Sequence, residues 1–140
     1  MAYWLLKSEP ETWSWNQQVK RGAKGEPWSG VRNYQARLNL RAMKKGEKGF
    51  FYHSGEERAI VGIVEIIREA YPDTSAEKGD WSMVDVIAVE GFKAPVTLAM
   101  AKVEPLLSEM VLVKNTRLSV QPVSDAAWKR VCILGGLKGK

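Results

Sequence analysis

One histidine, one cysteine and the want of any long apolar run are the most informative shortages in this chain of 140 residues. Nucleophilic catalysis needs a nucleophile beside a base that a third group orients, and His53 is the single imidazole on offer. Ser54 follows it directly, but neighbours on a strand point to opposite faces, which argues against direct contact between the two side chains. Cys132 has no partner for an internal disulfide, and no Cys-x-x-Cys or Cys/His cluster is spaced for zinc. Its expected place is a buried position on the last helix. The phosphate cradle GxxxxGK[ST], the dinucleotide pattern GxGxxG and the metalloprotease pattern HExxH are missing too. The expectation is therefore no catalytic residue, no metal and no cofactor. No stretch approaches the roughly 18 to 20 uninterrupted apolar residues of a membrane span, and MAYWLLKSEP lacks a basic region followed by a long apolar one. A soluble, cytoplasmic, monomeric protein without a membrane partner is expected, with residues 1–140 forming one domain.

What is present is charge, and it is segregated. The chain carries a net +5, yet nine basic residues stand against Glu26 and Glu47 between Lys20 and Lys48, a local +7, so the remainder is slightly acidic. Charge gathered in this way attracts polyanions, with a solvated helix face as the plainer alternative.

Local pattern predicts short elements. Tyr3 to Leu6 forms a strand that stops before Pro10. Ser14 and Gln17 make an S-x-x-Q capping pattern for a helix from about Trp15 to Lys20, followed by the loop RGAKGEPWSG. Asn33 caps a helix to about Lys45, on which Tyr34, Leu38 and Ala42 form an apolar face and Arg37, Arg41, Lys44 and Lys48 a basic one. Phe50–Tyr52, Ile60–Ile67 and Met83–Val89 have strand composition, and SGEER joins the first two as a hairpin. A loop from Tyr71 to Asp80 delivers Trp81 to the next strand. Leu98–Lys102 makes one helical turn, Leu118–Val120 a strand before Pro122, and Ser124 caps a final helix through Leu134. The fold class is α+β, with five or six mostly antiparallel strands that curl toward a barrel between flanking helices.

Six tryptophans are many for this length, and two of them, Trp28 and Trp81, fall in or beside loops. Each alone suits a core plug. Beside a basic helix the pair suits another use, because a flipped base can lie between aromatic faces while polar groups contact its edge. In GFFYHSG, Phe50 and Tyr52 share one face and Phe51 and His53 the other, so one pair is expected to pack the core.

KSEP after the first strand, WSGVRNYQAR, GFFYHS, GIVEI, AYPD, WSMVDV and MVLVKNTRLSVQPVS together resemble the EVE domain family, in its compact prokaryotic form, from Trp4 to about Leu134. The resemblance implies a PUA-like fold, a curled β-barrel flanked by helices, in a superfamily with the PUA, ASCH and YTH domains, which bind RNA or modified bases. It implies Trp28, with Ser29 beside it, and Trp81 as walls of an aromatic cage, and Asn33 as a base-edge contact. Ser8, Tyr52 and Ser54 complete the polar rim, since hydroxyls both donate and accept. His53 contacts the ligand or else fixes Ser8 or the Trp28 loop. Lys7, Arg32 and Arg117 contact phosphate or pair with nearby carboxylates, and Arg37, Arg41 and Lys44 line the path of the backbone. The function expected is a nucleic-acid reader, of DNA or RNA, that accepts a flipped and modified base. Its rivals are a hydrolase of modified nucleotides using His53, and a small-molecule or protein-interaction module.

Overall fold

A computed structural model describes residues 2–137. Six strands form one sheet in the order β2-β5-β4-β3-β1-β6, made of β1 (Tyr3–Ser8), β2 (Glu26–Pro27), β3 (Lys48–His53), β4 (Ala59–Pro72), β5 (Ser82–Thr97) and β6 (Val120–Val123). Five helices accompany them: α1 (Trp15–Arg21), α2 (Tyr34–Ala42), α3 (Leu98–Val103), α4 (Val111–Lys114) and α5 (Asp125–Leu134). The class is α+β as expected. The sheet is mixed, because β1 runs parallel to β3 while every other pairing is antiparallel. It is not a closed barrel, since β2 and β6 remain as edges. It is nonetheless curled: Asn39 on α2 donates to Val120 O of β6 at 2.7 Å, and Arg41 on the same helix donates to Ser82 Oγ of β5 at 2.9 Å. A helix of nine residues is only about 13 Å long. It can reach strands four places apart only if the sheet bends round it. The bend comes from β4 and β5, whose register slips at four places; such bulges increase local twist.

Both faces of the sheet are covered. On one, Leu5, Phe50, Tyr52 and Ile63 pack under α3, α4 and α5, and Trp128 of α5 stacks on Phe50 at 3.9 Å and on Tyr3 at 4.2 Å. On the other, Leu6, Phe51, Val64 and Val84 pack against Ala36, Leu40 and Met43 of α2 and against Trp28. The expectation that only one aromatic pair of β3 is buried is therefore corrected, for Phe50, Phe51, Tyr52 and His53 are all buried. A central strand with helices on both faces has no solvent side.

Helix α2 also departs from expectation. Tyr34 and Leu38, assigned to the core face, are exposed, and the buried stripe is Ala36, Asn39 and Leu40, continued by Met43. Two registers of i, i+4 spacing compete on this helix, and the one continued at i+7 by Met43 wins. The helix ends at Ala42, short of Lys45, because the Glu47 carboxylate accepts the Lys44 N–H at 2.8 Å and turns the chain toward β3. Strand β6 includes Pro122, which an edge strand tolerates since its missing N–H need not face a neighbour. The short helix α4 had no signal in the pattern.

Helix α1 is set on the sheet by Trp15. Its indole lies over Gly62 of β4, where an added Cβ would come within 2.4 Å of the ring. The capping box of Ser14 and Gln17 is formed as the pattern implied.

Candidate nucleic-acid interface

Where β1 ends, the loop to α1 and the loop around β2 leave a cavity of about 460 Å³ lined by Lys7, Ser8, Glu9, Thr12, Trp13, Glu26, Pro27, Trp28 and Ser29. Trp28 is buried, edge-on to Phe51 at 5.4 Å, and its backbone N–H donates to Val84 O at 2.6 Å. Trp13 is held at both ends. Its indole N–H donates to Gln18 Oε1 at 2.9 Å, Gln18 in turn donates to Val86 O of β5, and Ser8 Oγ donates to Trp13 O at 2.5 Å. With its N–H occupied, the Trp13 ring has only its π-surface to offer. The aromatic walls of this cavity are thus Trp28 and Trp13, whereas the sequence pointed to Trp28 and Trp81. Trp13 sits in ETWSW, next to a capping box, and its closeness to a helix start hid its part in the cavity.

Trp81 stands elsewhere. It stacks on Tyr34 at 5.3 Å with the rings 17° apart, and the guanidinium groups of Arg37 and Arg32 lie 5.3 and 5.7 Å from its centre. The loop that carries it is bound to the Trp28 loop through Asp73, whose buried carboxylate accepts from Gly30 N at 2.8 Å, from Arg32 at 3.1 Å and from Ser75 N and Oγ at 2.8 and 2.6 Å. Burial pushes the Asp73 pKa up. The hydrogen bonds from Ser75, Gly30 and Arg32 outweigh it and hold the pKa at about 2.

The remaining expected contacts divide in the same way. Ser8, Ser29 and Lys7 line the cavity with Trp28. Lys7 is half-buried, donates to Thr116 O at 2.7 Å and lies 5.7 Å from the centre of the Tyr52 ring; burial lowers its pKa. Tyr52 belongs to the opposite core, and burial raises its phenol pKa. Ser54 lies beside a separate acidic depression with Glu9, Glu11, Glu56 and Glu57. His53 fixes neither Ser8 nor the Trp28 loop. Its Nε2 accepts the Trp15 N–H at 3.0 Å and its Nδ1 meets Glu57 Oε1 at 2.9 Å. Asn33 caps α2, its Oδ1 accepting from Ala36 N at 2.9 Å, which leaves the amide NH2 at an exposed position. Arg32 is paired with Asp73; Arg37 and Arg41 both donate to Asp80 O, and Arg41 also pairs with the Asp80 carboxylate at 3.0 Å. Lys44 and Arg117 are exposed.

A family model for the EVE domain matches residues 2–134. Thymocyte nuclear protein 1 of Gallus gallus is 40% identical over an alignment 161 residues long, which covers 89% of this chain and 64% of that protein. The chain thus spans just under two thirds of that relative's length. Protein Atu2648 from Agrobacterium tumefaciens superposes with a TM-score of 0.97 at 50% identity, over 100% of this chain and 97% of that one. The human THYN1 protein, solved in complex with 5-methylcytosine containing DNA, gives 0.87 at 37% identity over 96% and 98%. The YTH domain of Zygosaccharomyces rouxii MRB1, in complex with N6-methyladenosine RNA, gives 0.58 at 18% identity over 99% and 87%, a likeness of the PUA-like fold alone. By the match of the family model over nearly all its length, this chain belongs to the EVE domain family.

Proposed function

We propose that this protein is a nucleic-acid reader that takes one flipped, modified base into the cavity bounded by Trp28 and Trp13. The observation that carries the reading is the cavity itself: two indoles, the hydroxyls of Ser8 and Ser29, and a volume of about 460 Å³. That volume falls in the range of roughly 300 to 1,000 Å³ usual for small-ligand sites. Base-on-indole stacking contributes roughly 1 to 3 kcal/mol, and a buried methyl adds about 0.8 kcal/mol, close to a fourfold preference. The human relative's complex with DNA containing 5-methylcytosine supports a methylated cytosine as the base to test first. Lys7, at the cavity, and exposed Lys44 and Arg117 supply cations for phosphate. Arg32, Arg37 and Arg41 keep donors beyond those that hold the loop, since a guanidinium has five.

The test is a titration of oligonucleotides differing only in one 5-methylcytosine against wild type, Trp13→Ala and Trp28→Ala, at several salt concentrations. Wild type is expected to prefer the methylated strand by about fourfold and to weaken steeply with salt, because phosphate contacts release counterions. Each variant is expected to lose about tenfold or more in affinity, and the preference with it. Trp13 is only partly buried, so Trp13→Ala keeps the test valid if Trp28→Ala unfolds. Equal binding of both strands by wild type, unchanged in Trp13→Ala, would contradict the proposal.

A further inference from the structure

Tyr34, the first residue of α2, is 69% exposed although its helix has a complete buried stripe on its other side. Core packing does not account for an aromatic ring at that position. Nor is the ring loose, for it lies on Trp81, and the Arg37 guanidinium sits 5.0 Å from its centre and 5.3 Å from that of Trp81. The indole is also held close by its own loop. Gly79, at φ +91°, brings the loop so close that a Cβ there would lie 2.7 Å from Trp81 Nε1. Arg37 and Arg41 fasten the same loop to α2 through Asp80 O, at 2.9 and 3.0 Å. The result is a two-ring stack braced by its own loop and helix, with the outer ring exposed, the Arg37 guanidinium beside both rings and that of Arg32 beside the indole.

We propose that Tyr34, backed by Trp81, is a second stacking platform, which takes another unpaired base of the same strand outside the cavity. The proposal rests on the reading of this chain as a nucleic-acid reader, and it assigns Trp81 to this platform instead of to the cavity wall. Charge decides between partners here. An apolar partner protein would need a groove free of desolvation cost, whereas this stack is bordered by Arg37 at Tyr34 and by Arg32 at Trp81, with exposed Arg41 further along the helix and exposed Lys44 just past its end. Aromatic rings beside such cations suit single-stranded nucleic acid, in which each base has a π-face and each phosphate a charge.

The experiment compares a single 5-methylcytidine nucleotide with a single-stranded oligonucleotide of about ten residues carrying one 5-methylcytosine, against wild type, Tyr34→Ala, Tyr34→Phe and Trp13→Ala. Tyr34→Ala is expected to weaken the oligonucleotide about 5- to 100-fold and to leave the single nucleotide within twofold. Tyr34→Phe should restore oligonucleotide affinity, because the ring and not the hydroxyl stacks. Trp13→Ala should weaken both ligands. Unchanged oligonucleotide affinity in Tyr34→Ala overturns the platform while leaving the cavity standing. A single nucleotide bound as tightly by Trp13→Ala as by wild type overturns the cavity reading instead, and failure of wild type to bind either ligand overturns both.

Discussion

At His53 both ring nitrogens are engaged, Nε2 as acceptor from the Trp15 N–H and Nδ1 as donor toward Glu57. That arrangement needs the neutral Nδ1–H tautomer. It ties the first turn of α1, where backbone N–H groups have no helical partner, to the end of β3. His53→Ala is therefore expected to lower stability by about 1 to 3 kcal/mol in a denaturant melt, by removing a buried ring and leaving a part-buried donor without its partner, with oligonucleotide affinity at low temperature within twofold of wild type. Lost affinity at unchanged stability would restore His53 to the site. The sequence made this residue conspicuous by its rarity, yet rarity says nothing of what a ring faces. Trp28 was legible for a better reason, because a large apolar side chain within a Gly/Pro loop must pack on something. Trp13 was not, since its role depends on Gln18 and Ser8, whose side chains meet it only in three dimensions.

Among the elements, the segment between β4 and β5 shows what a loop contributes. Its anchor is Asp73, whose carboxylate joins the Trp28 loop to the Trp81 loop through Gly30 and Arg32. The Asp73 pKa is held at about 2, below its ordinary 3.8, by hydrogen bonds that outweigh burial. The folded state therefore holds this proton less tightly than the unfolded state. The carboxylate's contribution is thus complete above about pH 4 and is lost as pH falls toward 2, and it amounts to about 2 kcal/mol. Wild type should accordingly lose more stability across that window than Asp73→Asn, as measured by thermal melts at stepped pH. Parallel curves for the two proteins would contradict the assignment. Strand positions were legible from β-branched and aromatic runs, but their lengths were not, because bulges let β4 and β5 continue through residues that look like loop. Helix α2 was placed correctly by Asn33, and its face was misassigned because Tyr34 and Leu38 mimic a core stripe while pointing to solvent.

Taken together, the curled sheet brings the end of β1, the α1 loop and the Trp28 loop round one cavity, and Ala36 and Leu40 of α2 share a core cluster with Trp28. The strongly basic stretch from Lys20 to Lys48 spans both. That juxtaposition could be anticipated only as charge near aromatic residues, since the parallel pairing of β1 with β3 that sets it is invisible in local pattern. The open edges at β2 and β6 likewise depend on pairing between distant segments. Base capture by the cavity is measured most directly in a crystal structure of this protein with an oligonucleotide carrying one 5-methylcytosine. The methylated base is expected extruded and lodged against Trp28 and Trp13, and a methylated base left stacked in its strand, with the cavity beside Ser8 unoccupied, would contradict the reader function.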